Sequence, residues 1–347
     1  MAQNIIIRTP NHLGDCIMAL PMINETCEVY PGATVTLLTP RHLADLFRPN
    51  PAIDGIIELP EKYVHGLMAI YKIRDMIAPL EFDIGYILPP SFGAAAGFKL
   101  GKVKERIGYI ADGRRLLLTK PLPLVEPINA THRSELYFDL LRRGSRADIE
   151  FSTPRLFLND NDLNRGSELL RRFGVEDDSD YACISFRAVA ESRRWGMNNY
   201  IELIKYLISE RKLKVVLVGS VADRDEGDTI AEATSTREVV NLAGKTDLRE
   251  AAAILSGCRV FVGNDSGPAH LAAAVDIPVV VLSGADDPKS TTPLATRKQL
   301  IYLENLDCIS CVKNKCPLKN DRYMQCMTGI SVEYVTSEID QILIQTA

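Results

Sequence analysis

Short apolar runs alternate with longer stretches that carry apolar residues on one helical face, and this pattern occurs twice along the chain. Residues 5–8, 34–39, 55–59 and 83–88 read as strands, and 15–30, 41–47, 64–78 and 132–143 as helices. Two further short strands, 106–110 and 116–119, flank Gly113-Arg114-Arg115. The pattern then changes. Pro154 and the polar clusters Asn159-Asp160-Asn161-Asp162 and Asp177-Asp178-Ser179-Asp180 surround one helix, 163–173, as at a join between domains. Alternation resumes with strands at 182–186, 214–218, 239–242, 259–262 and 279–282, separated by helices 197–210, 225–233 and 248–256. Residues 332–345 read as a closing helix. Strands joined by helices imply right-handed crossovers and parallel sheets. The expected class is therefore α/β, with domains at 1–155 and 156–330 and a closing segment at 331–347. Two such sheets are expected to turn their carboxyl ends toward one ligand cleft.

Composition narrows the function. The 347 residues are 46% hydrophobic and 24% charged, ordinary for a globular enzyme. A net charge of −5 provides no basic field for nucleic acid. No apolar run is long enough to cross a bilayer, and no charged segment followed by an apolar one marks a signal peptide, so a cytoplasmic protein is expected. Four of the eight cysteines, Cys16, Cys27, Cys183 and Cys258, lie in apolar settings and read as packed thiols. The other four, Cys308, Cys311, Cys316 and Cys326, follow a C-x2-C-x4-C-x9-C spacing. They read either as a structural zinc site or as four reduced cysteines in a loop.

The densest chemistry lies in Gly263-Asn264-Asp265-Ser266-Gly267-Pro268-Ala269-His270, between two apolar runs. This reads as a strand, a polar turn and a helix with proline in its first turn. A helix N-terminus offers unpaired N–H groups and a positive dipole end, which favour a phosphate. Asp265 and Ser266 either cap the helix or face a ligand; capping leaves His270 unexplained. The loop 187–196, after an apolar run at the same expected sheet edge, carries Arg187, Arg193, Arg194 and Trp195. Its arginines are read as a diphosphate clamp in preference to a solvated loop. In the first strand-to-helix turn, Thr9-Pro10-Asn11-His12-Leu13-Gly14-Asp15, the dinucleotide-binding glycine pattern is absent. Asp15 there is either a helix cap or a general base. No nucleophile elbow or Walker loop occurs, and the acidic pairs at 160/162 and 178/180 read as linker turns, not magnesium sites.

These pieces, in this order, resemble the ADP-heptose:lipopolysaccharide heptosyltransferases, and most of all those that act second in the inner core. The match is carried by Leu13-Gly14-Asp15 within Arg8–Met18, by Tyr30-Pro31-Gly32-Ala33, by Leu242-Ala243-Gly244-Lys245-Thr246, and by the Asp265–His270 signature. The cysteine stretch running into Thr328-Gly329-Ile330 adds to it. The resemblance implies a GT-B fold of two Rossmann-like domains facing across a cleft. It implies inverting transfer of heptose from ADP-L-glycero-D-manno-heptose to the inner-core oligosaccharide of lipopolysaccharide, at the inner face of the inner membrane. Asp15 falls on the family's catalytic base. Asp265, Ser266, Gly267, His270 and Thr246 fall on donor motifs, and Asp223 near a position contacting the nucleoside. Arg193 stands where the family usually has lysine, and Gly196 where it usually has proline. The resemblance requires no cofactor for catalysis; a structural zinc stays open. Arg114 and Arg115, with Lys99, Lys102 and Lys104, are candidates for meeting acceptor phosphates or carboxylates. The alternatives are a GT-B transferase or epimerase on another nucleotide sugar, and a non-catalytic nucleotide-binding protein.

Overall fold

The computed structural model describes residues 3–124 and 131–344. It divides into two compact units, Met1–Phe157 and Leu158–Ala347. The first unit holds a sheet of β1 (Asn4–Arg8), β2 (Thr34–Pro40), β3 (Gly55–Leu59), β4 (Ile84–Ile87), β5 (Glu105–Tyr109) and β6 (Lys120–Leu122), in the order β3-β2-β1-β4-β5-β6. The second holds β7 (Tyr181–Ser185), β8 (Lys214–Leu217), β9 (Val239–Asn241), β10 (Val260–Asn264), β11 (Val279–Leu282) and β12 (Lys298–Ile301), in the order β12-β11-β10-β7-β8-β9. Every pairing is parallel. Each sheet starts near its middle, winds outward, then returns to wind the other way. Strand order therefore reverses between β1 and β4 in one unit and between β7 and β10 in the other, which is where open α/β sheets bind ligands.

The central strands are buried on both faces, which explains their continuous apolar runs. In the second unit, Ile184, Val215, Leu217, Val260, Val262 and Val280 anchor one core, onto which the helix Val332–Ile344 packs through Val335, Ile339 and Ile342. The expected closing helix thus belongs to the second unit; its last residues lie outside the described ones.

Several expectations need correction. The single helix expected at 15–30 is two, Leu13–Met18 and Leu20–Val29, because Pro21 removes an N–H from the second helix's first turn. Residues 41–47 form a 3-10 helix. The strand expected at 116–119 lies at Lys120–Leu122, preceded by a 3-10 turn. The linker cluster at 159–162 starts a helix: Asn159 and Asp162 cap one another's backbone N–H groups reciprocally. Helix Phe92–Leu100 and strand β12 were not expected at all.

Candidate active site

In the first unit, β1 ends at Arg8 and the chain turns into helix Leu13–Met18, placing Asp15 in its first turn. Asp15 does not cap this helix; the N-cap position is His12, which makes no side-chain bond. The Asp15 carboxylate instead accepts a hydrogen bond from Arg133 Nη1 at 2.8 Å. Arg133 opens helix Arg133–Ser145, whose start is tied to the Asp15 helix by Ser134 Oγ donating to Met18 O at 2.7 Å. A guanidinium from a distant element therefore fixes a half-buried carboxylate at the carboxyl edge of the sheet.

In the second unit, β10 delivers Asp265 to the matching edge. Its N–H donates to Leu282 O at 2.9 Å, and its Oδ2 accepts from Ser283 Oγ at 3.2 Å. Ser266 is the N-cap residue of helix Gly267–Ala274, but its hydroxyl donates to Asn264 O at 3.1 Å and leaves the helix amides alone. Neither Asp265 nor Ser266 acts as a side-chain cap. His270 is buried, with Nε2 4.0 Å from Asp265 Oδ1. Burial, and then the neighbouring Asp286 carboxylate, push the Asp265 carboxyl up to about 7 against the pull of Ser283, Arg193 and Lys298. Lys298 is itself pushed down by burial.

The loop after β7 meets this group from the other side of the reversal. Arg193 Nη2 pairs with the buried Asp286 Oδ1 at 2.6 Å, and its Nε is buried without a hydrogen-bond partner. Arg194 donates from Nε to Ala188 O at 2.9 Å, so this arginine holds its own loop. Trp195 is packed edge-to-face on Tyr200; its indole donates to Ile330 O at 2.8 Å and its backbone N–H to Asn264 Oδ1 at 3.2 Å. That last bond ties the arginine loop to the Asp265 turn. Gly196 adopts φ +107°, which glycine reaches freely and proline cannot, so the departure from the family's proline is built into this loop's path.

The remaining expected residues fall elsewhere. Asp223 caps its own turn, its Oδ2 accepting from Ser220 N and Oγ, both at 2.7 Å, with Arg187 Nε 3.6 Å from its other oxygen. Thr246 is half-exposed beside Gly244, where an added Cβ would lie 2.6 Å from Val221 Cα. The Asp223 and Thr246 turns are therefore packed together. Arg114 must be withdrawn from any acceptor surface. It is fully buried and donates from Nε to Tyr109 O at 2.9 Å and from its other nitrogens to Pro89 O and Ile87 O. Arg115, Lys99 and Lys102 are exposed, and Lys104 pairs with Asp83. Cys308, Cys311 and Cys316 are half-buried and Cys326 is buried. Cys316 Sγ accepts from Met324 N at 3.3 Å. Among the described residues no group of three or more His, Cys, Asp or Glu side chains is placed to hold a metal ion. Arg133, Asp286, Ser283 and Lys298 were not expected at the site.

Two Rossmann-like units, each with an acid and an arginine near its strand-order reversal, form the GT-B architecture. The fold matches the solved structure of Escherichia coli ADP-heptose LPS heptosyltransferase II, with a TM-score of 0.80, 24% identity and 99% of each chain covered. It also matches a family 9 glycosyl transferase from Veillonella parvula, with a TM-score of 0.86, 19% identity and 99% and 97% covered. Residues 70–321 match glycosyltransferase family 9 (heptosyltransferase), and the chain belongs to that family. In sequence it is 27% identical to lipopolysaccharide heptosyltransferase 2 of Escherichia coli over 99% of both chains.

Proposed function

We propose that the protein transfers heptose, with inversion, from ADP-L-glycero-D-manno-heptose to the inner-core oligosaccharide of lipopolysaccharide. The observation that carries this reading is the joining of the Asp265–His270 turn to the Arg193 loop at the second unit's reversal, in a chain of the heptosyltransferase family. Asp15, oriented by Arg133, takes the proton from an acceptor hydroxyl as that oxygen attacks the anomeric carbon. The bond to ADP breaks and the diphosphate leaves with the electron pair, through an oxocarbenium-like transition state. The N-terminus of helix Gly267–Ala274 and the Arg193 guanidinium meet the growing phosphate charge. Asp265, whose carboxyl burial pushes up to about 7, is partly the neutral acid near that pH and repels it less than an ordinary carboxylate would. Asp223 and Thr246, on adjoining turns, contribute to the nucleoside side of the donor pocket.

These side chains supply the charge that a metal would, so no metal cofactor is required for turnover. Among the described residues no helix is long and apolar enough to cross a membrane. The heptosyl-transfer reading places the lipid-anchored acceptor at the cytoplasmic face of the inner membrane, where the enzyme would meet it. The test is mass spectrometry of deacylated core oligosaccharide incubated with the protein and ADP-heptose. A single added heptose, absent with Asp15→Asn, is expected. Hydrolysis or epimerisation of the nucleotide sugar with the oligosaccharide unchanged would overturn the reading.

A further inference from the structure

The first unit contains a cavity of about 280 Å³ at the reversal between β1 and β4. The loop after β1 contributes Arg8 and Asn11 to it; the loop after β4 contributes Pro89, Ser91 and Phe92. Arg8 is only 2% exposed. Its Nη1 donates to Thr9 O and its Nη2 to Asn11 Oδ1, both neutral acceptors, while Nε is buried without a partner. No carboxylate among the described residues forms an ion pair with it. Burial lowers its pKa to about 10, so it stays charged at neutral pH. An arginine held in a dry site without a counter-charge is costly unless an anion completes it.

Two more features point the same way. Gly66 and Ser91, the residues preceding helices Leu67–Ile77 and Phe92–Leu100, both line the cavity, so the positive ends of two helices border it. The opening carries Leu67 and Phe92, apolar side chains 78% and 48% exposed, suited to a bulkier body attached to the anion. Asp15 follows from the same loop as Arg8 and Asn11.

We propose that this cavity is an acceptor subsite in which Arg8 binds an anionic substituent, phosphate or carboxylate, of the saccharide whose hydroxyl Asp15 activates. The proposal rests on the heptosyl-transfer reading for the identity of the saccharide. Calorimetry tests it, with full-length protein and deacylated inner-core oligosaccharide as the probe. Arg8→Gln is expected to weaken oligosaccharide binding by roughly ten- to a hundredfold, the loss of a charge-assisted contact, and to leave ADP binding unchanged. Arg8→Lys is expected to recover part of the loss. Phosphatase-treated and carboxyl-reduced oligosaccharides separate the two sources: weakened binding of one to wild-type protein identifies the group. Undiminished binding by an Arg8→Gln protein that melts like wild type overturns the site. If that variant does not fold, equal wild-type affinity for the native oligosaccharide and for one stripped of both groups overturns it. Arg8-dependent binding without heptose transfer removes the transfer reading and leaves the site standing. Heptose transfer with Arg8-independent binding does the reverse.

Discussion

In the second unit, Arg193 after β7 pairs with Asp286 after β11, His270 approaches Asp265 after β10, and Ser283 and Lys298 add a hydrogen bond and a positive charge to Asp265. After β1 and β4, Arg8 bonds, among the described residues, to the neutral oxygens of Thr9 and Asn11 beside an open cavity. The two sheets share one strand order, so topology alone does not explain the contrast. The second unit carries its own counter-charges, into which the proposed donor diphosphate would have to fit. In the first unit, Arg8 lines a cavity with no carboxylate among the described residues paired to it. A common framework thus marks the edge where open α/β sheets bind ligands, and the two units differ there in charge balance.

The sharpest break in this comparison is Asp15→Asn, which removes chemistry from the first unit and leaves the second intact. Turnover should fall by about a hundredfold or more with ADP binding near normal; single-turnover kinetics beside calorimetry checks both. If ADP affinity falls as well, the division of labour between the units fails.

Next comes the second unit's charge set. Arg193→Ala should weaken ADP binding by about 1.5–3 kcal/mol and also lower the melting temperature, because it removes the guanidinium paired with the buried Asp286. Adding Asp286→Asn should restore the melting temperature without restoring ADP affinity. Recovery of both would show that Arg193 serves the fold alone.

Asp265 gives a pH signature. Its folded pKa, about 7, lies above the ordinary 3.8, so the folded state favours the protonated acid. Its cost to stability is absent below about pH 4, grows as pH rises toward 7, and is complete above that. Asp265→Asn should therefore raise the melting temperature at pH 8, a gain of up to about 4 kcal/mol, and give none at pH 4. Wild-type ADP affinity should decline as pH passes 7, and the variant's should decline less. Parallel melting curves at both pH values would refute the assignment.

The smallest expected effect is that of chelation. If the side chains at the second reversal meet the leaving-group charge, EDTA should leave turnover within about twofold of its value with Mg²⁺. Strict Mg²⁺ dependence, measured in the same transfer assay, would mean that this charge set does not do so.

Most strands and several helix boundaries were legible in the sequence, because period and capping act over a few residues. The elements that were missed have local reasons. Helix Phe92–Leu100 reads FGAAAGFKL: its alanines favour a helix, but two glycines and a nearly all-apolar sequence leave no stripe of 3.6-residue period to read. Its Gly97 is there for contact: a Cβ would lie 2.7 Å from Ile73 Cγ2 on the neighbouring helix. Strand β12 is half-buried at a sheet edge and lacks the apolar run of a central strand. Arg114 had the sequence setting of a solvated loop cation and is instead a buried donor to three carbonyls.

The sequence by itself determined two α/β units, the turn from Asp265 to His270, and an aspartate following the first strand. These depend on periodicity and turn chemistry, which neighbouring residues encode. Only the tertiary structure decided that Arg133 reaches Asp15 across 118 positions, that Asp286 holds Arg193, and that Arg8 meets no carboxylate among the described residues. Partners so distant in sequence meet because strand order and crossover direction bring their loops to one sheet edge, and their charges then count because burial removes the water that would screen them.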